Sequence, residues 1–282
     1  MHHEEFGWKT KDHLRLYAQV WQPDGHAKGL VCLVHGLGEH SGRYPHVAAY
    51  LTKNGYVLSA FDQRGHGKSE GQRGYTPSFQ VLMDDIATFL EESTSRYPDC
   101  PCFLYGHSLG GSLVLEYMLR QHPQLAGVIA TAPALRTAFK PPALKVVLGK
   151  VMVRLWPTLS MSNEIDVQTL SRDAEVVRAY VNDPLVHDRL TPRLGIGMLQ
   201  SGEWVLQHAT EVSLPILLMH GGADRLTSSQ ASSEFAARAG EGCTLKIWEG
   251  LYHEIHNEPE QGTVLSYLLD WLDQRLVKTT SA

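Results

Sequence analysis

At 282 residues, 43% of them apolar, the chain can bury a sizeable core, and its 25 basic and 30 acidic residues leave a net charge of −5. The charges are spread along the chain, which excludes a nucleic-acid surface and a polybasic membrane tether. The N-terminus has no charged segment followed by an apolar stretch, no apolar run reaches the ~18 residues of a spanning helix, and the four cysteines form no disulfide framework, so a cytoplasmic protein with reduced thiols is expected.

In chain order, residues 5–10 and 14–22 read as an antiparallel hairpin around Lys11-Asp12-His13, at the edge of a sheet. Residues 29–36, 56–62, 102–106, 127–132, 216–221 and 244–248 are short, apolar and bounded by glycine, the pattern of strands buried on both faces. Residues 44–54, 78–97, 108–121, 228–239 and 260–276 carry helical spacing between them. Such alternation predicts an α/β fold, a mostly parallel sheet flanked by helices.

Residues 135–207 break the alternation, because no convincing buried strand appears there. They read as a helical cap or lid inserted into a core made of residues 1–134 and 208–282. Pro141 and Pro142 open the insertion, and residues 143–156 follow as a helix that is apolar over most of its circumference. Such a helix either packs on the body or offers a hydrophobic entrance for an acyl chain, with transient contact to a membrane surface.

The most specific motif is Gly106-His107-Ser108-Leu109-Gly110, which follows the apolar run Cys102 to Tyr105 and opens the helix at 108–121. A G-x-S-x-G sequence between strand and helix is a nucleophile elbow: small residues let the chain turn sharply, and the serine hydroxyl is left at a helix N-terminus. A serine hydroxyl needs a histidine base, itself oriented by a carboxylate, in the chain order serine, acid, histidine. Asp224 leaves the end of the strand at 216–221 and is the preferred acid, with Asp183 and Asp188 as competitors in the insertion. His253 and His256 both follow the last strand, and His253 is the nearer and preferred base. The turn at His35-Gly36-Leu37-Gly38 ends the first parallel strand, so the Leu37 and Leu109 N–H groups are the expected oxyanion donors. His35, His107 and His220 end strands, which reads as loop orientation by hydrogen bonding. Cys100-Pro101-Cys102 lacks a two-residue spacer, and His253-x-x-His256 alone is a weak metal signal.

Six segments in order resemble the monoacylglycerol lipase family of the α/β-hydrolase fold, a resemblance covering almost the whole chain. They are His35-Gly36-Leu37-Gly38-Glu39-His40-Ser41-Gly42-Arg43-Tyr44, Phe61-Asp62-Gln63-Arg64-Gly65-His66-Gly67-Lys68-Ser69-Glu70-Gly71, Gly106-His107-Ser108-Leu109-Gly110-Gly111, Asn182-Asp183-Pro184-Leu185, His220-Gly221-Gly222-Ala223-Asp224 and Tyr252-His253-Glu254-Ile255-His256. The resemblance implies Ser108 as nucleophile, Asp224 and His253 as its partners, and a lid above an acyl-chain tunnel. It also implies that Glu39, Arg43 and His256 hold the glycerol end of the substrate. Leu109 departs from the methionine common in the family, without consequence where only its N–H is used.

The expected function is therefore serine ester hydrolysis of monoacylglycerols, a small lipid ester substrate, without metal or organic cofactor and without nucleic acid. Lysophospholipase or general carboxylesterase activity is the alternative, and a ligand receptor that does not turn over is a third reading. The expected location is cytoplasmic, peripheral at the membrane if the insertion touches lipid. Acyl-chain length and oligomeric state are not written in the sequence.

Overall fold

The computed structural model describes residues 1–279. Its elements begin β1 (His2–Lys9), β2 (Arg15–Gln22), β3 (Gly29–Val34), α1 (Pro45–Lys53), β4 (Tyr56–Phe61), α2 (Phe79–Arg96), β5 (Cys102–His107), α3 (Leu109–Gln121) and β6 (Gly127–Thr131). The chain continues through α4 (Ala143–Leu155), β7 (Met161–Ser162), α5 (Ala174–Asn182), β8 (Arg189–Leu190) and α6 (Pro192–Gln207). It closes with β9 (Ile216–Gly221), α7 (Ser229–Ala239), β10 (Cys243–Trp248) and α8 (Gln261–Thr279).

Eight strands form one sheet in the order β1-β2-β4-β3-β5-β6-β9-β10. β1 and β2 pair antiparallel to each other, β2 pairs antiparallel to β4, and every remaining neighbour is parallel. Every residue of β3, β4, β5, β6 and β9 is buried, which is why those runs are continuously apolar rather than alternating. The edge strand β10 is half-buried throughout. β1 starts three residues earlier than its apolar pattern indicates, because its first residues are polar: His3 stacks on Trp21 with ring centroids 5.0 Å apart and bonds Gln19 at 3.0 Å.

Each face of the sheet has its own apolar layer. Side chains of α2, α3, α6 and α7 fill one side and those of α1 and α8 the other. Helix starts follow local chemistry: the hydroxyls of Ser78, Thr191 and Ser228 accept from the N–H groups of Val81, Leu194 and Ala231, satisfying donors that have no intrahelical partner.

β6 and β9 are adjacent and parallel, so the long segment between them leaves one strand and returns to its neighbour. Within it, α6 packs on α3 as well as on α4, while α4 buries none of its residues. Leu144 and Leu155 are 78% and 75% exposed, and Val147, Leu148 and Val151 are exposed beside them. The apolar circumference read from the sequence is thus left facing outward.

The turn from β5 into α3 places the serine. Ser108 has φ 54° and ψ −115°, a left-handed conformation that a residue with a side chain rarely holds. Two glycines allow it: a Cβ at Gly106 would collide with the carbonyl oxygen of Gly110, and one at Gly110 with that of Val34 in β3. The close approach of β3, β5 and α3 therefore holds the strained residue in place.

Candidate active site

Three side chains from three loops meet at the C-terminal end of the parallel strands. Ser108 stands between β5 and α3, Asp224 in the turn after β9 and His253 in the loop after β10. His253 Nε2 lies 2.9 Å from Ser108 Oγ, and His253 Nδ1 lies 2.7 Å from Asp224 Oδ2. Because a carboxylate only accepts, Nδ1 carries the proton and Nε2 is free to accept from the serine. The competing residues are elsewhere: Asp183 bonds His40 at 2.8 Å, and Asp188 is exposed beside Arg189.

The Asp224 side chain is fully buried and surrounded by donors. Its Oδ1 accepts from the N–H groups of Leu226 at 2.7 Å and Thr227 at 3.1 Å. Its Oδ2 accepts from His253, from His220 Nε2 at 3.0 Å and from the Thr227 hydroxyl at 2.8 Å. Burial by itself pushes the carboxyl up; the neighbouring His253 charge and the bonds from His220 and His253 outweigh it and hold the group well below the usual carboxylate range. For His253 the balance is similar. Burial pushes the imidazole down, Asp224 outweighs that, and the ring ends above its ordinary value.

The expected oxyanion donors flank the serine. Leu109 is the first residue of α3, where an N–H has no intrahelical partner, and Leu37 follows β3 and lines the same cavity as Ser108 and His253. Their loop is pinned from below. Glu39 Oε1 accepts from Gly36 N–H at 2.6 Å and from the Tyr44 hydroxyl at 2.9 Å, while the Gln63 N–H donates to His35 Nε2 at 2.9 Å.

Glu39, Arg43 and His256 come together, yet none is among the residues that line this cavity. Arg43 donates two parallel bonds to Glu254, at 2.7 and 2.8 Å, and a third to Glu39 at 2.9 Å, and its guanidinium lies 4.7 Å from the Tyr180 ring centre on α5. Burial pushes Glu254 up, but Arg43 outweighs it and holds the carboxyl far below its usual range. His256 stacks on Tyr44 at 5.0 Å and meets the edge of His107 at 4.7 Å, and His107 in turn lies 4.9 Å from His253. Burial holds His256 neutral, with its pKa pushed down to about 3. These side chains form a layer behind His253 that ties the serine-side loop to the histidine loop.

The cavity has a volume of about 170 Å³ and is lined in large part by residues between 135 and 207. Leu135, Ile165, Leu190, Met198, Leu199 and Leu226 are among its apolar lining residues. The single arginine among its lining residues, Arg136, is bound to Glu203 at 2.6 Å and to Glu234. Among the described residues, no three His, Cys, Asp or Glu side chains converge as a metal site, and no helix is long and apolar enough to cross a membrane.

Sequence reasoning missed Glu254, Thr227 and Tyr180. Glu254 adjoins His253 and could have been suspected as a buried carboxylate in an apolar loop; Tyr180 lies in a segment with no positional signal.

A parallel sheet of this order with a serine elbow at its centre defines an α/β hydrolase. The family model described as serine aminopeptidase, S33, matches residues 25–260. The chain is 39% identical over 272 residues to an abhydrolase domain-containing protein of Dictyostelium discoideum, covering 95% of this chain but only 28% of that much longer relative. It is 35% identical over 265 residues to the monoacylglycerol lipase of Mycolicibacterium smegmatis, covering 93% of this chain and 94% of the relative. The crystal structure of Paleococcus ferrophilus monoacylglycerol lipase superposes with a TM-score of 0.85 at 38% identity, over 92% of this chain and 99% of that one. The chain belongs to the serine aminopeptidase S33 family of α/β hydrolases, and within it to the monoacylglycerol lipase family.

The buried Arg43 pair makes a stability prediction. Replacing Arg43 by Met leaves Glu39 and Glu254 buried without their cation and costs about 3–5 kcal/mol at neutral pH. In the native protein Glu254 sits below its ordinary value, so its contribution is present above the ordinary carboxylate range and lost as pH falls through the depressed value. In Arg43→Met the sign inverts: Glu254 rises above its ordinary value, takes up a proton on folding, and the variant gains stability between about pH 7 and 5. Urea unfolding at the two pH values measures this, and an equal deficit at both contradicts it.

Proposed function

We propose that this hydrolase is a serine ester hydrolase that cleaves monoacylglycerols to fatty acid and glycerol through an acyl-enzyme on Ser108. The observation that carries the reading is the continuous hydrogen-bond path Ser108–His253–Asp224 opening onto an apolar cavity. His253 Nε2 takes the hydroxyl proton as Ser108 Oγ attacks the ester carbonyl, and the Leu37 and Leu109 N–H groups stabilise the oxyanion. The imidazolium protonates the departing glycerol oxygen. Water, deprotonated by the same nitrogen, then releases the fatty acid.

The apolar wall suits a single acyl chain. Arg136 already has two carboxylate partners, so the lining residues present no unpaired cation to a phosphate, which favours a neutral glycerol headgroup over a lysophospholipid. The monoacylglycerol lipase names borne by two relatives of nearly equal length point the same way. Glu39, Arg43 and His256 act on the glycerol end through the loops they tie together.

Residues 135–207 serve in this reading as a cap over the cavity. α4 carries Lys150 and Arg154, together with Lys145, which is paired with Glu164 at 2.7 Å, and no acidic residue, beside its exposed leucines and valines. An outward face of that chemistry suits an anionic lipid surface. The double variant Leu144→Ser and Leu148→Ser removes six apolar carbons and should bind anionic phospholipid vesicles weaker by on the order of 10²- to 10³-fold, since each buried CH₂ contributes about 0.8 kcal/mol. Its turnover of a soluble short-chain ester should be unchanged; sedimentation with vesicles at native strength would remove the membrane role.

Ser108→Ala tests the central assignment. Glycerol release from monoolein should fall by about 10⁴-fold or more, while thermal unfolding stays close to that of the native protein. Near-native turnover by the folded variant would overturn the proposal.

A further inference from the structure

His220 is completely buried at the end of β9, and both of its ring nitrogens are engaged within the active-site frame. Nε2 lies 3.0 Å from Asp224 Oδ2, and Nδ1 lies 2.8 Å from the hydroxyl of Ser232, itself buried on α7. Since the carboxylate only accepts, Nε2 carries the proton and the Ser232 hydroxyl donates to Nδ1. A hydrogen-bonded line therefore runs Ser232–His220–Asp224–His253–Ser108.

We propose that His220 is a positioning residue of the reaction, holding Asp224 Oδ2 so as to set the orientation and basicity of His253; this rests on the serine hydrolase reading given above. Two features separate it from a histidine that merely fills the core. First, its donor goes to Oδ2, the same oxygen that His253 uses. Second, the carboxylate is anchored independently, because Oδ1 already accepts from Leu226 and Thr227 N–H. His220 Nε2 also lies 3.3 Å from the Thr227 carbonyl oxygen in the turn, but the two N–H bonds to Oδ1 hold the carboxylate without it. Its effect falls on the charge density of the oxygen facing the catalytic imidazole.

Asp224 faces His220 and His253, and His253 also faces Glu254, Glu39, His107 and His256, with Arg43 behind them. Substitution at 220 leaves all of those groups in place. Loss of the Nε2 donor concentrates charge on Oδ2 and stabilises the protonated form of His253. His253 must be neutral to accept the serine proton, so the acid limb of the pH–rate profile moves to higher pH.

The experiment is the dependence of kcat/KM on pH, from about pH 5 to 9, for a soluble short-chain ester with native protein, His220→Leu, His220→Gln and Ser232→Ala. In His220→Leu the acid limb should rise by about half to one pH unit, with about a three- to tenfold loss of kcat/KM on that limb. His220→Gln, whose amide nitrogen can reach the Nε2 position, should restore the native limb. Ser232→Ala frees the ring to turn and should shift the limb the same way by a smaller amount, and it decides the matter if His220→Leu does not fold. An acid limb unmoved in Ser232→Ala and in folded His220→Leu overturns this role. Absence of ester hydrolysis by the native protein would instead overturn the serine hydrolase reading.

Discussion

The candidate active site is organised around one desolvated carboxylate. The Asp224 side chain has no exposed surface, and its ion-pair partners among the described residues are two histidines. A carboxylate buried in that way is tolerable only when its lone pairs are filled, and five donors from the turn after β9, from His220 and from His253 fill them. The arrangement leaves His253 Nε2 as an acceptor pointing at Ser108. In the proposed reaction, chemistry at the serine is a consequence of how a charge is accommodated on the far side of His253.

The serine meets that imidazole because of backbone geometry. β3 and β5 are adjacent, α3 starts directly after β5, and the two glycines flanking the elbow let three backbones approach more closely than any side chain would permit. A φ of 54° at Ser108 is unfavourable by itself, and burial of the surrounding strands and helix compensates for it. Arg43 provides a second tie. By bonding both Glu39 and Glu254 it links the loop after β3, where the Leu37 N–H lies, to the loop that carries His253. Its contact with Tyr180 extends the link to α5 in the insertion.

Much of this was legible in the sequence for definite reasons. Buried parallel strands are written as unbroken apolar runs, and the order of Ser108, Asp224 and His253 follows from which strand ends the fold brings to one edge. The start of β1 was hidden because its residues are polar and held by a histidine stack. α5 and α6 were not read as separate elements within the insertion, although their buried residues, Val177 and Tyr180 in α5 and Leu194, Val205 and Leu206 in α6, carry helical spacing. Roles that depend on distance alone were out of reach: that His220 shares an oxygen with His253, or that Arg43 spends its fork on Glu254, 211 residues away, has no local signature. For the same reason Glu39, Arg43 and His256 could be named but not placed.

Reaction with a fluorophosphonate probe, followed by peptide mass spectrometry and by the labelling rate, addresses the central claim that the buried carboxylate activates the serine through His253. The account predicts phosphonylation of the peptide containing Ser108 and a rate lower by about 10³-fold or more in Asp224→Asn, where the imidazole is held in the wrong tautomer. Labelling at another residue, or at an undiminished rate in Asp224→Asn, would contradict it.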